Sequence, residues 1–102
     1  MFFIYIIECK DGSYYIGQTN NLLQRMVQHK NGNGCLYTKN KGFNQLLVYW
    51  VCDNRNGALK LEKYLKTLTK KRKITLIENP ELLGKKFGVY LDENYKTYKE
   101  LN

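Results

Sequence analysis

The segment Phe2 to Cys9, FFIYIIEC, is the strongest constraint in the chain. It is dense in β-branched and aromatic residues and reads as a strand that is apolar on both faces. A strand of that kind must be covered on two sides, so it belongs at the centre of a sheet between two layers. Lys10-Asp11-Gly12 follows as a turn, and Ser13 to Gln18 reads as a second strand, so the two form a β-hairpin.

The register of that hairpin decides which side chains meet. A two-residue turn at Asp11-Gly12 would put Tyr5 and Tyr15 on opposite faces. A three-residue loop with Gly12 in the left-handed conformation pairs Cys9 with Ser13, Tyr5 with Gly17 and Ile7 with Tyr15. We adopt the second register, which places both tyrosines on one face beside a glycine that leaves space. Two tyrosines on a sheet face are ordinarily packing, so the pair gains meaning only from other signals.

Thr19 or Asn20 is the expected cap of a helix running to about Lys30, with Gly32 as its stop. Its apolar face is read as Leu22, Leu23, Met26 and Val27. Arg25 and His29 lie four apart at the edge of that face, an arrangement suited to gripping a phosphate or to a plain solvated edge. Asn31 to Gly34 is expected to be a flexible loop. Gln45 to Cys52 is a third strand. Asp53 or Asn54 caps a second long helix over about 55–69, and Lys70 to Glu78 continues as another helix ended by Asn79-Pro80.

The second long helix buries Ala58, Leu61, Leu65 and Leu68. Glu62 sits at the border of that stripe, where a carboxylate needs a partner. Lys66 in an i,i+4 pair is the plain candidate, and a hard divalent cation is the other. Beyond Pro80, the alternation of Phe87, Val89 and Leu91 suggests a short strand, Asp92-Glu93-Asn94 a turn, and the last residues a frayed end.

The expected fold is α+β, a small three-stranded, mainly antiparallel sheet flanked by helices in the order β-β-α-β-α-α. Residues 1–78 form the domain and 79–102 a C-terminal extension. The chain has 102 residues and a net charge of +8, a field that favours a polyanion such as nucleic acid. Cys9, Cys35 and Cys52 show no C-x-x-C spacing and are expected to be small buried residues in a reduced, cytoplasmic setting. With a single histidine they make a poor structural zinc set. No segment reads as a membrane span or a signal peptide, and a monomer is expected.

Phe3-Ile4-Tyr5, Tyr15-Ile16-Gly17, Arg25, His29 and Glu62 together resemble the GIY-YIG nuclease domain. Small stand-alone bacterial members share the D-G-S turn (Asp11 to Ser13), the Y-x-G-x-T-N run (Tyr15 to Asn20), R-x-x-x-H (Arg25 to His29) and A-L-x-x-E (Ala58 to Glu62). The likeness spans about residues 2–77. Phe3 stands where the first motif has glycine, Gln18 stands where the excision-repair nuclease has a basic residue, and Asn79 is the nearest candidate for an asparagine found further along in many members.

The resemblance implies an endonuclease using one Mg²⁺, or Mn²⁺ in its place, on DNA of structured or damaged form in repair or recombination. It implies Tyr5 as general base toward water, Tyr15 as a hydrogen-bond partner of the phosphate or the water, and Arg25 as the phosphate-binding cation. His29 would orient or deprotonate Tyr5, and Glu62 would hold the metal. The alternative is a non-catalytic nucleic-acid-binding module that keeps the fold. A protein-docking domain with a basic surface is a third reading.

Overall fold

The computed structural model describes residues 1–83 and 89–90. Strands β1 (Phe2–Cys9), β2 (Tyr14–Thr19) and β3 (Phe43–Cys52) form an antiparallel sheet with β1 in the middle. A two-residue β4 (Val89–Tyr90) adds to the outer edge of β3, giving the order β2-β1-β3-β4. Val89 of the alternating run is therefore in a strand. Phe87, Leu91, the turn at Asp92 to Asn94 and the frayed end lie outside the described residues.

The hairpin takes the three-residue loop. Gly12 has φ +83°, the Cys9 amide donates to the Ser13 carbonyl at 2.8 Å, and the Gly12 amide donates to the Cys9 carbonyl at 2.9 Å. The Asp11 carboxylate accepts from the Ser13 amide and hydroxyl, which shapes the turn. Tyr5 therefore faces Gly17, and Ile7 faces Tyr15.

Because side chains alternate along a strand, β1 divides its residues between two cores. Ile4 and Ile6 pack with Ile16, Val48 and Trp50 against Ala58, Leu61 and Leu65 of helix α3 (Arg55–Thr67). Phe3, Tyr5 and Ile7 pack with Tyr49 and Val51 against Leu22 and Met26 of helix α1 (Leu22–Lys30). The two-sided burial expected of β1 is thus supplied by one helix on each face. Beyond residue 78, Leu83 and Val89 join the α3-side core, and the Trp50 indole donates to the Pro80 carbonyl at 2.9 Å.

Several boundaries differ from expectation. Asn21, not Thr19 or Asn20, caps α1, its side chain accepting from the Gln24 amide at 3.1 Å; Thr19 is the last residue of β2 and its hydroxyl bonds Asn21 instead. Asn54 caps α3 as expected, through the Gly57 amide. Thr69 caps helix α4 (Lys70–Glu78), so α3 stops at Thr67 and the next helix starts anew. The apolar face of α1 is Leu22, Met26 and His29; Leu23 and Val27 are half-exposed. A short helix, α2 (Leu36–Lys41), was not foreseen. Six residues are too few to show a helical period, although Gly42, with φ +80° at its end, carries an ordinary stop signal.

Candidate functional site

The site is built at the β1–β2 edge of the sheet. Register alone sets Tyr5 and Tyr15 on the α1 face, with ring centroids 6.4 Å apart. Gly17 lies directly opposite Tyr5, and a Cβ there would overlap the Tyr5 hydroxyl. The glycine is therefore required by the phenol's position, in addition to the space it leaves.

His29 projects inward from α1 and completes a triangle of rings, with centroids 5.7 Å from both Tyr5 and Tyr15. Both readings of the Arg25–His29 pair, a phosphate grip and a plain solvated helix edge, are corrected for the histidine, which is only 1% exposed. Both ring nitrogens have partners, which is what permits the burial. Nε2 meets the Tyr5 hydroxyl at 3.0 Å, and Nδ1 meets Thr38 Oγ1 at 2.7 Å. Both nitrogens are engaged within the protein, which leaves His29 none to offer a phosphate. The backbone at Gly34 presses on the imidazole so closely that a Cβ would overlap it. The segment expected as a flexible loop, Asn31 to Gly34, thus covers the ring, and the Asn33 amide ties it back to the Gln28 carbonyl at 2.8 Å.

Arg25 sits one turn earlier on α1 and is partly exposed. Among the described residues no carboxylate pairs with it. Its charge reaches three neighbours, lowering the pKa values of Tyr5, Tyr15 and His29. Burial nevertheless dominates each of them. It pushes Tyr5 well above the ordinary phenol value and Tyr15 up to about 12, the latter helped by a hydrogen bond with Cys35. Burial and Arg25 together bring His29 down to about 4. Neutral imidazole beside neutral phenol is the resting state at pH 7, and the imidazole has a lone pair free to accept a proton.

Glu62 comes from α3, on the opposite face of the sheet. It reaches the site around β2, which is an edge strand. Its side chain is 20% exposed; one oxygen accepts from the Gln18 amide at 3.2 Å and the other pairs with Lys66 at 3.4 Å. Its charge raises the pKa values of both Tyr5 and Tyr15, so it lies within electrostatic range of the phenols. Gln18 pairs with Ile4 and so points to the α3 face, where its amide orients the carboxylate. The sequence reading weighed Gln18 only for phosphate binding and missed this contact.

Four further residues of the site escaped the sequence reading: Thr38, Gly34, Tyr37 and Cys35. Tyr37 stacks on Tyr15 at 5.6 Å and carries Lys41 5.5 Å from its own ring, extending the aromatic row outward. Cys9 and Cys52 are buried as expected, whereas Cys35 is half-buried at the start of α2. Burial pushes the Cys35 thiol up, but hydrogen bonds from Thr38, Tyr15 and the Tyr37 backbone outweigh it and hold it below the usual value.

A family model described as the GIY-YIG catalytic domain matches residues 1–75. The chain belongs to the GIY-YIG family. The GIY-YIG proteins are nucleases, so the substrate class is nucleic acid. The match ends in α4, so it takes in Tyr5, Tyr15, Arg25, His29 and Glu62. Among relatives, the UPF0213 protein CPE1444 of Clostridium perfringens is 37% identical over 102 residues, covering 100% of this chain and 99% of that protein. The UPF0213 protein YazA of Bacillus subtilis is 37% identical over 89 residues, covering 87% and 88%. The solution NMR structure of the UPF0213 protein BH0048 from Bacillus halodurans is similar with a TM-score of 0.50 at 33% identity, covering 84% of this chain and 97% of that one. Among the described residues of this GIY-YIG chain, no helix is long and apolar enough to cross a membrane.

Proposed function

We propose that this protein is a metal-dependent endonuclease that hydrolyses phosphodiester bonds in DNA, acting on structured or damaged DNA in repair or recombination. The observation that carries this reading is the buried Tyr5–His29 hydrogen bond, with the Arg25 cation and the Glu62 carboxylate both within electrostatic range of Tyr5 and Tyr15. Tyr5 is hydrogen-bonded to His29 at 3.0 Å, Arg25 holds an unpaired charge beside it, and Glu62 stands at the strand edge. Phosphodiester hydrolysis needs those three functions.

The donor set fits Mg²⁺, or Mn²⁺, as the cation. Among the described residues no three His, Cys, Asp or Glu side chains gather as a metal cluster, so a site here rests on Glu62 with water completing the shell. A single hard carboxylate with retained waters is a setting Mg²⁺ accepts and structural zinc does not. When bound, the cation would offset the carboxylate's charge, which now raises both phenols, and would stabilise the leaving oxygen.

In this reading Tyr5 takes a proton from the attacking water as its own proton passes to His29 Nε2. His29 is neutral at pH 7, its pKa held down to about 4, so Nε2 has its lone pair available; the same depression makes it a weak base, and the proton moves to it only as Tyr5 gains the water's. Arg25 binds the scissile phosphate and meets the charge that develops on it. Tyr15, half-buried between Tyr5 and Tyr37, orients the phosphate or the water. Gln18 aims Glu62. The exposed lysines of α3 and α4, Lys60, Lys63, Lys66, Lys70 and Lys71, supply sequence-independent contact with the backbone. Residues 1–78 would carry the activity, as a monomer, and three free thiols suit a cytoplasmic setting.

The test is cleavage of labelled nicked, gapped and branched duplexes with and without Mg²⁺, using wild type and Glu62→Ala. Metal-dependent products from the wild type alone support the reading. Salt-sensitive binding with no product on any substrate would leave only the binding-module reading.

A further inference from the structure

We propose that Thr38 is a positioning residue that fixes the tautomer of His29, holding the proton on Nδ1 so that Nε2 presents its lone pair to Tyr5. The proposal rests on the nuclease reading for its consequence, but the geometry behind it is independent of any activity.

Donors and acceptors can be counted here because the space is closed. Tyr5, His29 and Thr38 are each 1% exposed, so in the resting protein solvent does not serve as a spare partner; the attacking water would come to Tyr5 only with the substrate. The contacts form a chain: Tyr5 hydroxyl to Nε2 at 3.0 Å, Nδ1 to Thr38 Oγ1 at 2.7 Å, and Thr38 Oγ1 to the Cys35 carbonyl at 3.4 Å. Three protons are available, one each on Tyr5, the neutral ring and Thr38.

With the ring proton on Nδ1, every proton finds an acceptor. Tyr5 donates to Nε2, Nδ1 donates to Thr38 Oγ1, and Thr38 donates to the Cys35 carbonyl. With the ring proton on Nε2, the ring donates to Tyr5 and Thr38 donates to Nδ1. The Tyr5 proton then has no acceptor among the described residues, and a buried donor left unpaired is costly. The choice is made at Tyr5, whose proton has only Nε2 to go to; Thr38 can turn its own proton away from the ring, to the Cys35 carbonyl or to Cys35 Sγ, each at 3.4 Å. Both are held there by the start of α2, where Cys35 is the N-cap three residues before Thr38.

The direction matters for the chemistry. A Tyr5 that donates to Nε2 keeps its own oxygen lone pairs free to receive a proton from water, and has a base ready to take its own. A Tyr5 that accepts from Nε2–H has neither.

The test is ¹⁵N NMR of the tag-free protein, in which His29 is the single histidine, so the ring signals need no disentangling. Wild type is expected to show Nδ1 protonated and Nε2 unprotonated at pH 7. Thr38→Val keeps the shape and removes the partner of Nδ1; one donor is then unpaired in either tautomer, so the preference for Nδ1 is expected to be lost and the ring to show protonation at both nitrogens. Thr38→Ser is expected to restore the wild-type pattern. DNA cleavage should follow: kcat down at least about twofold in Thr38→Val with KM unchanged, and recovered in Thr38→Ser. A wild-type ring protonated on Nε2 overturns the proposal, as does a Thr38→Val ring as fully protonated on Nδ1 as the wild type. If Thr38→Val does not fold, the wild-type and Thr38→Ser spectra still decide it, since both must show the proton on Nδ1. Nδ1-protonated wild type with no cleavage of any DNA would leave Thr38 in its place and overturn the nuclease reading instead.

Discussion

The Tyr5 hydroxyl and His29 Nε2 lie 3.0 Å apart in the protein interior, although 24 residues separate them in the chain. One comes from the central strand and the other from the helix that covers it, so the bond ties a packing decision to a chemical one. The pair is also the innermost part of the candidate site, with Tyr15, Arg25 and Glu62 nearer to solvent.

Replacing Tyr5 by Phe keeps the ring and removes the hydroxyl. Metal-dependent cleavage is expected to fall by roughly 10²–10⁴-fold, the usual worth of a positioned base. His29 Nε2 is left without a partner in a buried place, so unfolding by urea should come earlier by about 1–3 kcal/mol. Cleavage at the wild-type rate would remove Tyr5 from the mechanism.

Gly17→Ala should be more harmful than a surface methyl has any right to be. The new Cβ would sit on the Tyr5 hydroxyl and against the Tyr15 ring. Overpacking of this kind costs about 1–3 kcal/mol, and displacement of the phenol should abolish cleavage. A denaturation midpoint equal to wild type would mean that Tyr5 does not occupy this position.

Stability should depend on pH through His29. Its folded pKa is depressed to about 4, against about 6.5 for a free imidazole. The unfolded chain therefore binds the proton first as pH falls. The stabilisation is complete above pH 6.5 and is lost progressively as pH drops toward 4. The difference of the two values corresponds to about 3 kcal/mol. Denaturation curves from pH 7.5 to 4.5 should show this slope in the wild type and a flatter one in His29→Gln. Equal slopes would show that His29 does not titrate as its burial requires.

Glu62→Gln separates function from stability. Its ion pair is with Lys66, which is 58% exposed, and pairs of that kind contribute under about 1 kcal/mol. Thermal denaturation should barely change. Cleavage should fall at least about 100-fold, because a bound cation supplies several kcal/mol of charge stabilisation. Activity retained in full would place the metal elsewhere.

The amino-acid sequence by itself determined the central strand and the helix that carries Glu62, and narrowed the hairpin to two registers. The first two follow from local rules, an apolar run with two faces and a 3.6-residue stripe through Ala58, Leu61 and Leu65; the three-residue loop is the register adopted, and the structure has it. Once the register was set, Tyr5 and Tyr15 had to share a face, because side chains alternate along a strand and the β1–β2 ladder runs without a register shift. Only the tertiary structure decided that His29 turns inward in place of Val27, and that Thr38 meets it. A buried polar side chain is stable only where its partners stand, and those partners come from β1 and from a helix too short to show a period. The same holds for Glu62 and Gln18, 44 residues apart, which meet because β2 is the edge of the sheet.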